Sequence, residues 1–161
     1  MNKNVTKALE NIDEVYDSLI AVANDIFNAT TAELDGLIDT AYASCESMTN
    51  DSLRDLMMKL SLKSYSFSEI KERSAFKAAL GEVLRKEAYA ENFNKSEGTV
   101  AVRENTAILE SSEEILSEEI HNLVSSMLKT KLDEVHRVIN TLQTVLMTRM
   151  QEAKLSNVDI Q

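Results

Sequence analysis

Apolar residues recur at steps of three and four through most of the chain, which is the spacing of one face of an α-helix. The first such run consists of Val5, Leu9, Ile12, Tyr16, Leu19, Ala23 and Ile26. It predicts a helix over residues 4–29. Thr30 and Glu33 then have the spacing of a capping box, in which a hydroxyl and a carboxylate each bond a free backbone N–H. A second helix is therefore predicted from there to about Ser47.

Two more helices are predicted before residue 93. The polar residues 49–52 offer N-cap side chains, and a short helix follows them with Leu53, Leu56, Met57 and Leu60 on one side. Ser66 and Glu69 form a second capping box. It opens a fourth helix that extends to about Tyr89 or Asn92, with an apolar stripe of Ile70, Phe76, Leu80, Val83 and Leu84.

The last third of the chain predicts a long helix. The segment from Asn92 to Gly98 interrupts the pattern, Thr99 is a candidate N-cap, and no proline or glycine follows. One helix to the end of the pattern would span about 80 Å, a length typical of coiled coils and oligomers. The alternative is a hairpin near residues 129–131. A heptad seam is formed by Leu132, Val135, Ile139, Leu142 and Leu146.

These patterns predict an all-α fold. An N-terminal antiparallel helical cluster of three to four helices occupies residues 1–93, and residues 94–161 form a long assembly helix or a helical hairpin. The heptad seam predicts a homo-oligomer, either a coiled coil or a bundle.

Composition removes the alternatives to this fold. The 161 residues contain no proline and three glycines, whereas sandwiches, barrels and doubly wound α/β folds recruit both residue types for their turns. A phosphate-binding loop needs closely spaced glycines, which are lacking. No stretch has the length of a transmembrane helix, and the first residues lack the apolar run of a signal peptide. A cytoplasmic protein without a membrane partner is expected.

Little in the sequence indicates catalysis. Glu118 precedes His121 by three residues and Asp133 precedes His136 likewise, a spacing used in di-iron bundles. The two pairs lie about 22 Å apart on one predicted helix, so charged side chains on a solvated helix face are expected instead. Cys45 falls on an apolar stripe and is expected in the core. A non-enzymatic protein with no cofactor, metal or small-molecule substrate is therefore predicted.

The formal net charge of −10 conceals a division of the chain into blocks. Residues 1–56 carry net −8, residues 57–95 carry +3, residues 96–128 carry −6 and residues 129–161 carry +1. Opposite blocks on neighbouring subunits could pair, and the alternative is that each block is a solvated helix face. The acidic blocks also suggest a second role, in which a helical surface imitates DNA and occupies a DNA-binding protein.

The basic block suggests contact with single-stranded DNA, because it combines cations for phosphates with aromatic rings for bases. Its cations are Lys59, Lys63, Lys71, Arg73, Lys77, Arg85, Lys86 and Lys95. They are interleaved with Tyr65, Phe67, Phe76, Tyr89 and Phe93. Among these aromatics Phe76 has the position of a core residue.

Short matches in the C-terminal part link the chain to a known family. They are Lys95-Ser96-Glu97, Thr99-Val100 and the run from Lys131 to Val135 that continues past Arg137. Over about the last 90 residues the chain resembles the UvsY-type recombination mediators of tailed bacteriophages. Its helical pattern also resembles that of coil-containing phage proteins. Departures are the acidic N-terminal region, the sparse aromatics and the negative net charge.

The resemblance implies a helical homo-oligomer that binds single-stranded DNA and helps to load a recombinase in the cytoplasm of a phage host. It implies phosphate contacts by Lys77, Arg85, Lys86 and Lys95, with base stacking on Tyr89 and Phe93. Lys71 joins them from the basic block. The alternative function is a structural protein of the virion or scaffold, or an acidic inhibitor that binds a partner protein.

Overall fold

The computed structural model describes residues 3–158, with side-chain positions for 14–156. In that part of the chain the secondary structure consists of four helices and no strand. Their bounds are α1 Lys3–Ser44, α2 Asn50–Lys95, α3 Val100–Glu110 and α4 Ser112–Val158. The helices pack against each other as in a bundle, so the all-α prediction is confirmed. The predicted core positions Val5, Leu9 and Ile12 lie outside the described side chains.

Both predicted capping boxes inside the first half of the chain are wrong, because α1 and α2 continue through them. Glu33 pairs with Lys63 instead of a backbone N–H, and the Ser66 hydroxyl donates to the carbonyl of Leu62 at 3.4 Å. The apolar periodicity persists through both sites, and neither has a proline to break the helix. A serine or threonine there bonds within the helix at little cost.

The predicted break at residue 49 is confirmed. The Thr49 hydroxyl accepts a hydrogen bond from the backbone N–H of Ser52 at 3.2 Å, which is N-cap geometry for α2. At the other end of α2, Gly98 has a φ of +108°, a conformation that favours glycine. Thr99 then occupies the N-cap of α3 with extended backbone angles, without a side-chain capping bond.

The long C-terminal helix is interrupted at a place that the sequence pattern missed. Ser111 separates α3 from α4, and its hydroxyl donates to the carbonyl of Ala107 at 2.8 Å. Ser111 is 1% exposed, so this local bond replaces solvent for a buried polar group. The alternative hairpin near residues 129–131 does not form, since α4 is continuous there.

The chain packs as two compact units. Unit 1 comprises residues 1–28 and 71–127, and unit 2 comprises residues 29–70 and 128–161. Helices α1, α2 and α4 each contribute residues to both units, and α3 belongs to unit 1. The predicted division into residues 1–93 and 94–161 stays a prediction.

Unit 2 contains a core of large aliphatic side chains. It includes Leu34, Ile38, Leu53, Leu56, Leu60, Leu128, Leu132, Val135, Val138 and Leu142. Three residues of the predicted oligomer seam are among them, since Leu132, Val135 and Leu142 are 7%, 0% and 1% exposed. The other two, Ile139 and Leu146, are half-buried. The heptad seam is therefore occupied within the chain itself.

Unit 1 is built differently, because its buried positions are small apart from Val124, which is 2% exposed. They include Ala23, Ser74, Ala78, Ala107 and Ser111. Helices α2 and α4 approach closely at Gly81, where a Cβ would lie 3.2 Å from the Cα of Glu118. Two helical turns earlier on α2, the Ser74 hydroxyl donates to the carbonyl of His121 at 3.2 Å.

No helix in the described part of the chain is long and apolar enough to span a membrane.

Candidate functional site

All the predicted nucleic-acid contacts lie on α2, but they do not share one face of it. Lys77 and Lys86 are nine residues apart, which places them on opposite sides of a helix. Lys95 returns to the side of Lys77 after nine more residues, whereas Arg85 reaches Glu118 of α4. The cations therefore surround the helix and do not form a single basic stripe.

Carboxylates accompany most of these cations. Salt bridges join Lys71 to Glu72, Arg85 to Glu118, Lys86 to Glu82 and Lys95 to Glu91. Hydrogen bonds from the lysines hold the pKa values of Glu82 and Glu91 below the usual range. Among the described residues Lys77 has no carboxylate within ion-pair distance. The local positive charge is thus largely compensated, although exposed pairs of this kind are weak and a phosphate could compete for the cation.

The Arg85–Glu118 pair is the most enclosed of these salt bridges. The guanidinium Nε donates to Glu118 at 2.6 Å, and the side chains are 34% and 15% exposed. The hydrogen bond from Arg85 to Glu118 raises the pKa of the guanidinium above its ordinary value. Arg85 joins α2 to α4 and so has a structural role in unit 1. It would have to leave Glu118 in order to bind a phosphate.

The two predicted stacking residues do come together. The rings of Tyr89 and Phe93 are stacked with their centroids 6.1 Å apart. The guanidinium of Arg103, from α3, lies 4.2 Å from the centroid of Phe93 and donates two hydrogen bonds to the Phe93 carbonyl, at 2.8 and 3.0 Å. Arg103 was not predicted as a contact residue, although it is the single cation within residues 96–128. It fastens α3 to the end of α2 and covers one side of the Phe93 ring.

The histidine-containing pairs do not form a metal site. Glu118 is bound to Arg85 and is not solvated as expected, whereas Asp133 and His136 are exposed as expected. Burial, with a smaller effect of nearby Lys77, lowers the pKa of His121. Within the described residues no three His, Cys, Asp or Glu side chains cluster as metal ligands. Cys45 is half-buried beside the end of α1 and not in the core.

A row of apolar side chains on α1 borders an open groove in unit 1. Val15, Leu19, Val22 and Ile26 follow one another at steps of four, three and four residues. Val15 and Val22, which line the groove, are 50% and 45% exposed, and Ile26, one turn beyond it, is 39% exposed. Helix α4 supplies Leu116 and Ile120 to the opposite wall. This α1/α4 groove is therefore lined by two helices and open to solvent where a third helix would complete the packing.

The rim of the α1/α4 groove is acidic. Glu14 lines it directly, and Asp25 lies on the same side of α1. Glu113 and Glu119 flank the apolar row of α4. Neither residues 14–28 nor residues 112–127 include a lysine or an arginine.

Helix α2 exposes a second apolar row in unit 1. Phe76, Leu80 and Val83 are 69%, 48% and 51% exposed. They lie on the side of α2 opposite to the small residues that pack on α4. Phe76 is therefore not a core residue, and the predicted stripe of α2 is directed outward, because only small side chains permit the close approach of α2 to α4. We call Phe76, Leu80 and Val83 the α2 row.

Comparison with protein-family models, with curated proteins and with solved structures gave no match. The resemblance to UvsY-type mediators stays a prediction.

Proposed function

We propose that this protein is a non-enzymatic homo-oligomer that acts by helix–helix contact, through the apolar surfaces of unit 1. The observation that carries the proposal is the inverted distribution of side chains on the unit 1 part of α2, residues 71–95. Small residues face the interior of unit 1, and large apolar residues face solvent.

This distribution has a simple energetic interpretation. Burial of apolar surface contributes about 25 cal/mol per Å², and an exposed row of large side chains forgoes that contribution in the monomer. Soluble monomers seldom expose contiguous apolar patches of this kind, and larger ones mark interaction sites. Unit 2 differs in that it also has a core of large aliphatic side chains, although Met58 and Leu62 of α2 are exposed there.

The mass of the protein in solution tests the proposal. Light scattering at tens of micromolar protein should give a mass above the 18.0 kDa of one chain, and the mass should fall on dilution. A mass of 18.0 kDa across that concentration range would refute self-association.

A second candidate function is contact with single-stranded DNA as an accessory to a recombinase. The observation in its favour is that Lys77 and Lys95 lie on the same side of α2, about 27 Å apart along the helix, with the stacked Tyr89 and Phe93 between them in sequence. Binding that depends on such lysines weakens steeply with salt, because phosphates release counterions on binding.

Fluorescence anisotropy with a labelled single-stranded oligonucleotide at low salt tests this candidate. Binding should weaken in a Lys77→Glu/Lys95→Glu double variant. It should change little in a Lys129→Glu/Lys154→Glu double variant, a control with the same change of charge at exposed lysines of α4 outside the basic block. Absence of binding by the unaltered protein at low salt would refute the DNA-binding function.

A further inference from the structure

We propose that the α1/α4 groove of one copy receives the α2 row of a second copy. The proposal rests on the self-association proposed above and names the two surfaces that meet. Both surfaces belong to unit 1, so each copy carries one groove and one row.

The first argument is the match of spacing. The groove residues Val15, Leu19 and Val22 and the row residues Phe76, Leu80 and Val83 both advance by four and then three residues. Each set therefore spans about 10 Å of helix. Heptad spacing of this kind lets the side chains of one helix insert between those of its neighbours.

The second argument is the match of exposure. The row residues protrude, with Phe76 at 69% exposed, whereas the groove is a concave space between two helices. A helix that adds to such a groove uses anchors at successive turns, which is the recurring helix-in-groove mode of recognition.

The third argument is charge. Of the four cations within residues 73–86, Arg85 is bound to Glu118 and Lys86 to Glu82, so the positive charge beside the row comes from the other two. Arg73 and Lys77 lie beside the row, and Lys77 has no carboxylate within ion-pair distance among the described residues. Glu14 lines the groove, and Asp25, Glu113 and Glu119 lie within one helical turn of its lining residues on α1 and α4. Row-to-groove contact thus brings opposite charges together, whereas contact of two α2 rows would bring like charges together.

The contact is head-to-tail, because it joins two different surfaces. A head-to-tail contact leaves a free groove on one copy and a free row on the other, so it continues into a closed ring or an open filament. Two variants, each defective in a different one of the two surfaces, should therefore associate with each other, which a symmetric dimer contact would not allow.

The test uses two substitutions at exposed positions, one for each surface. Val22→Glu places a charge in the groove, and Leu80→Glu places one on the row. Each variant alone should associate at least about tenfold more weakly than the unaltered protein, since a carboxylate cannot be buried unpaired in an apolar contact. An equimolar mixture should form a dimer of twice 18.0 kDa, because the intact groove of Leu80→Glu accepts the intact row of Val22→Glu.

Leu62→Glu is the matched control, since Leu62 is a 65% exposed leucine on the same helix but belongs to unit 2. It should associate as the unaltered protein does. Circular dichroism and thermal unfolding of each variant show whether it has kept its helices. If a variant unfolds, Val15→Gln and Val83→Gln replace the two substitutions with milder ones.

The outcomes separate this proposal from the proposed function. An oligomer that both substitutions leave intact refutes the row-in-groove contact and leaves self-association standing. Loss of association in both variants without recovery in the mixture shows a symmetric interface and also refutes the contact. A monomeric unaltered protein refutes both proposals.

Discussion

At the scale of single residues, a half-buried lysine organises the polar part of unit 2. The ammonium of Lys131 lies 2.6 Å from Asp35 and 2.7 Å from Glu134, and its side chain is only 15% exposed. The hydroxyl of Thr31, which is fully buried, donates to the other oxygen of Asp35 at 2.7 Å. Asp35 therefore accepts from two donors at once, the buried hydroxyl of Thr31 and the half-buried ammonium of Lys131.

This arrangement determines the charge state of the lysine. Burial alone would lower the pKa of Lys131, but hydrogen bonds and charge from Asp35 and Glu134 together raise it above the ordinary 10.5. Since the folded pKa is the higher one, the resulting stabilisation is complete below pH 10.5. It is lost as the pH rises through the folded pKa.

We expect Asp35→Ala to lower the free energy of unfolding by about 2 kcal/mol, because it leaves the Thr31 hydroxyl without its acceptor and removes one carboxylate from Lys131. Urea denaturation at neutral pH measures this change. Asp39→Ala is the matched control, as an exposed aspartate on the same helix, and should change stability by less than about 0.5 kcal/mol. Equal effects of the two substitutions would contradict the structural role of Asp35.

At the scale of helices, the sequence signals for a helix end were reliable only where the apolar pattern also stopped. Thr49 and Gly98 both lie between apolar runs, and both mark observed ends. The capping boxes at Thr30 and Ser66 lie inside continuing runs, and packing of the amphipathic face outweighed them. Ser111 interrupts the helix between α3 and α4 without proline or glycine and inside an apolar run, so neither signal marks this break.

Two glycines inside helices should respond to alanine in opposite directions. Gly36 has nothing within 4 Å of an added Cβ, so Gly36→Ala should stabilise the protein by about 0.5–1 kcal/mol through helix propensity alone. At Gly81 the added Cβ would meet backbone and side-chain atoms of Glu118 at 3.2–3.4 Å. Overpacking costs about 1–3 kcal/mol, so Gly81→Ala should destabilise the protein on balance.

Thermal or urea unfolding of the two variants provides the comparison, with the unaltered protein as the common reference. Stabilisation by Gly81→Ala would show that α2 and α4 are not in the close contact described above.

At the scale of the whole molecule, the two units differ in what holds each of them together. Unit 2 buries leucine, isoleucine and valine, and unit 1 buries mainly alanine and serine. Less apolar area is removed from water at each small residue. The core of unit 1 therefore contributes less to its stability than the core of unit 2 contributes to that of unit 2.

We expect the rates of amide hydrogen exchange to show this difference within a single helix, α4. In the Leu80→Glu variant, under conditions where it is monomeric, the amides of residues 128–142 in α4 should exchange more slowly than those of residues 112–127. The reason is that local opening of unit 1 exposes less apolar surface and costs less free energy. Equal protection along α4 would contradict unequal stability of the two units.

The sequence by itself determined the secondary structure class of this protein, because three- and four-residue periodicity without proline is compatible only with helices. It also located the breaks at Thr49 and Gly98. It could not say which apolar face would be buried. The stripe of Leu132 to Leu146 and the stripe of Phe76 to Val83 have similar heptad spacing, yet one fills the core of unit 2 and the other faces solvent. Only tertiary structure decided between them, since the small residues of α2 and Gly81 let it approach α4 closely and turn its large side chains outward.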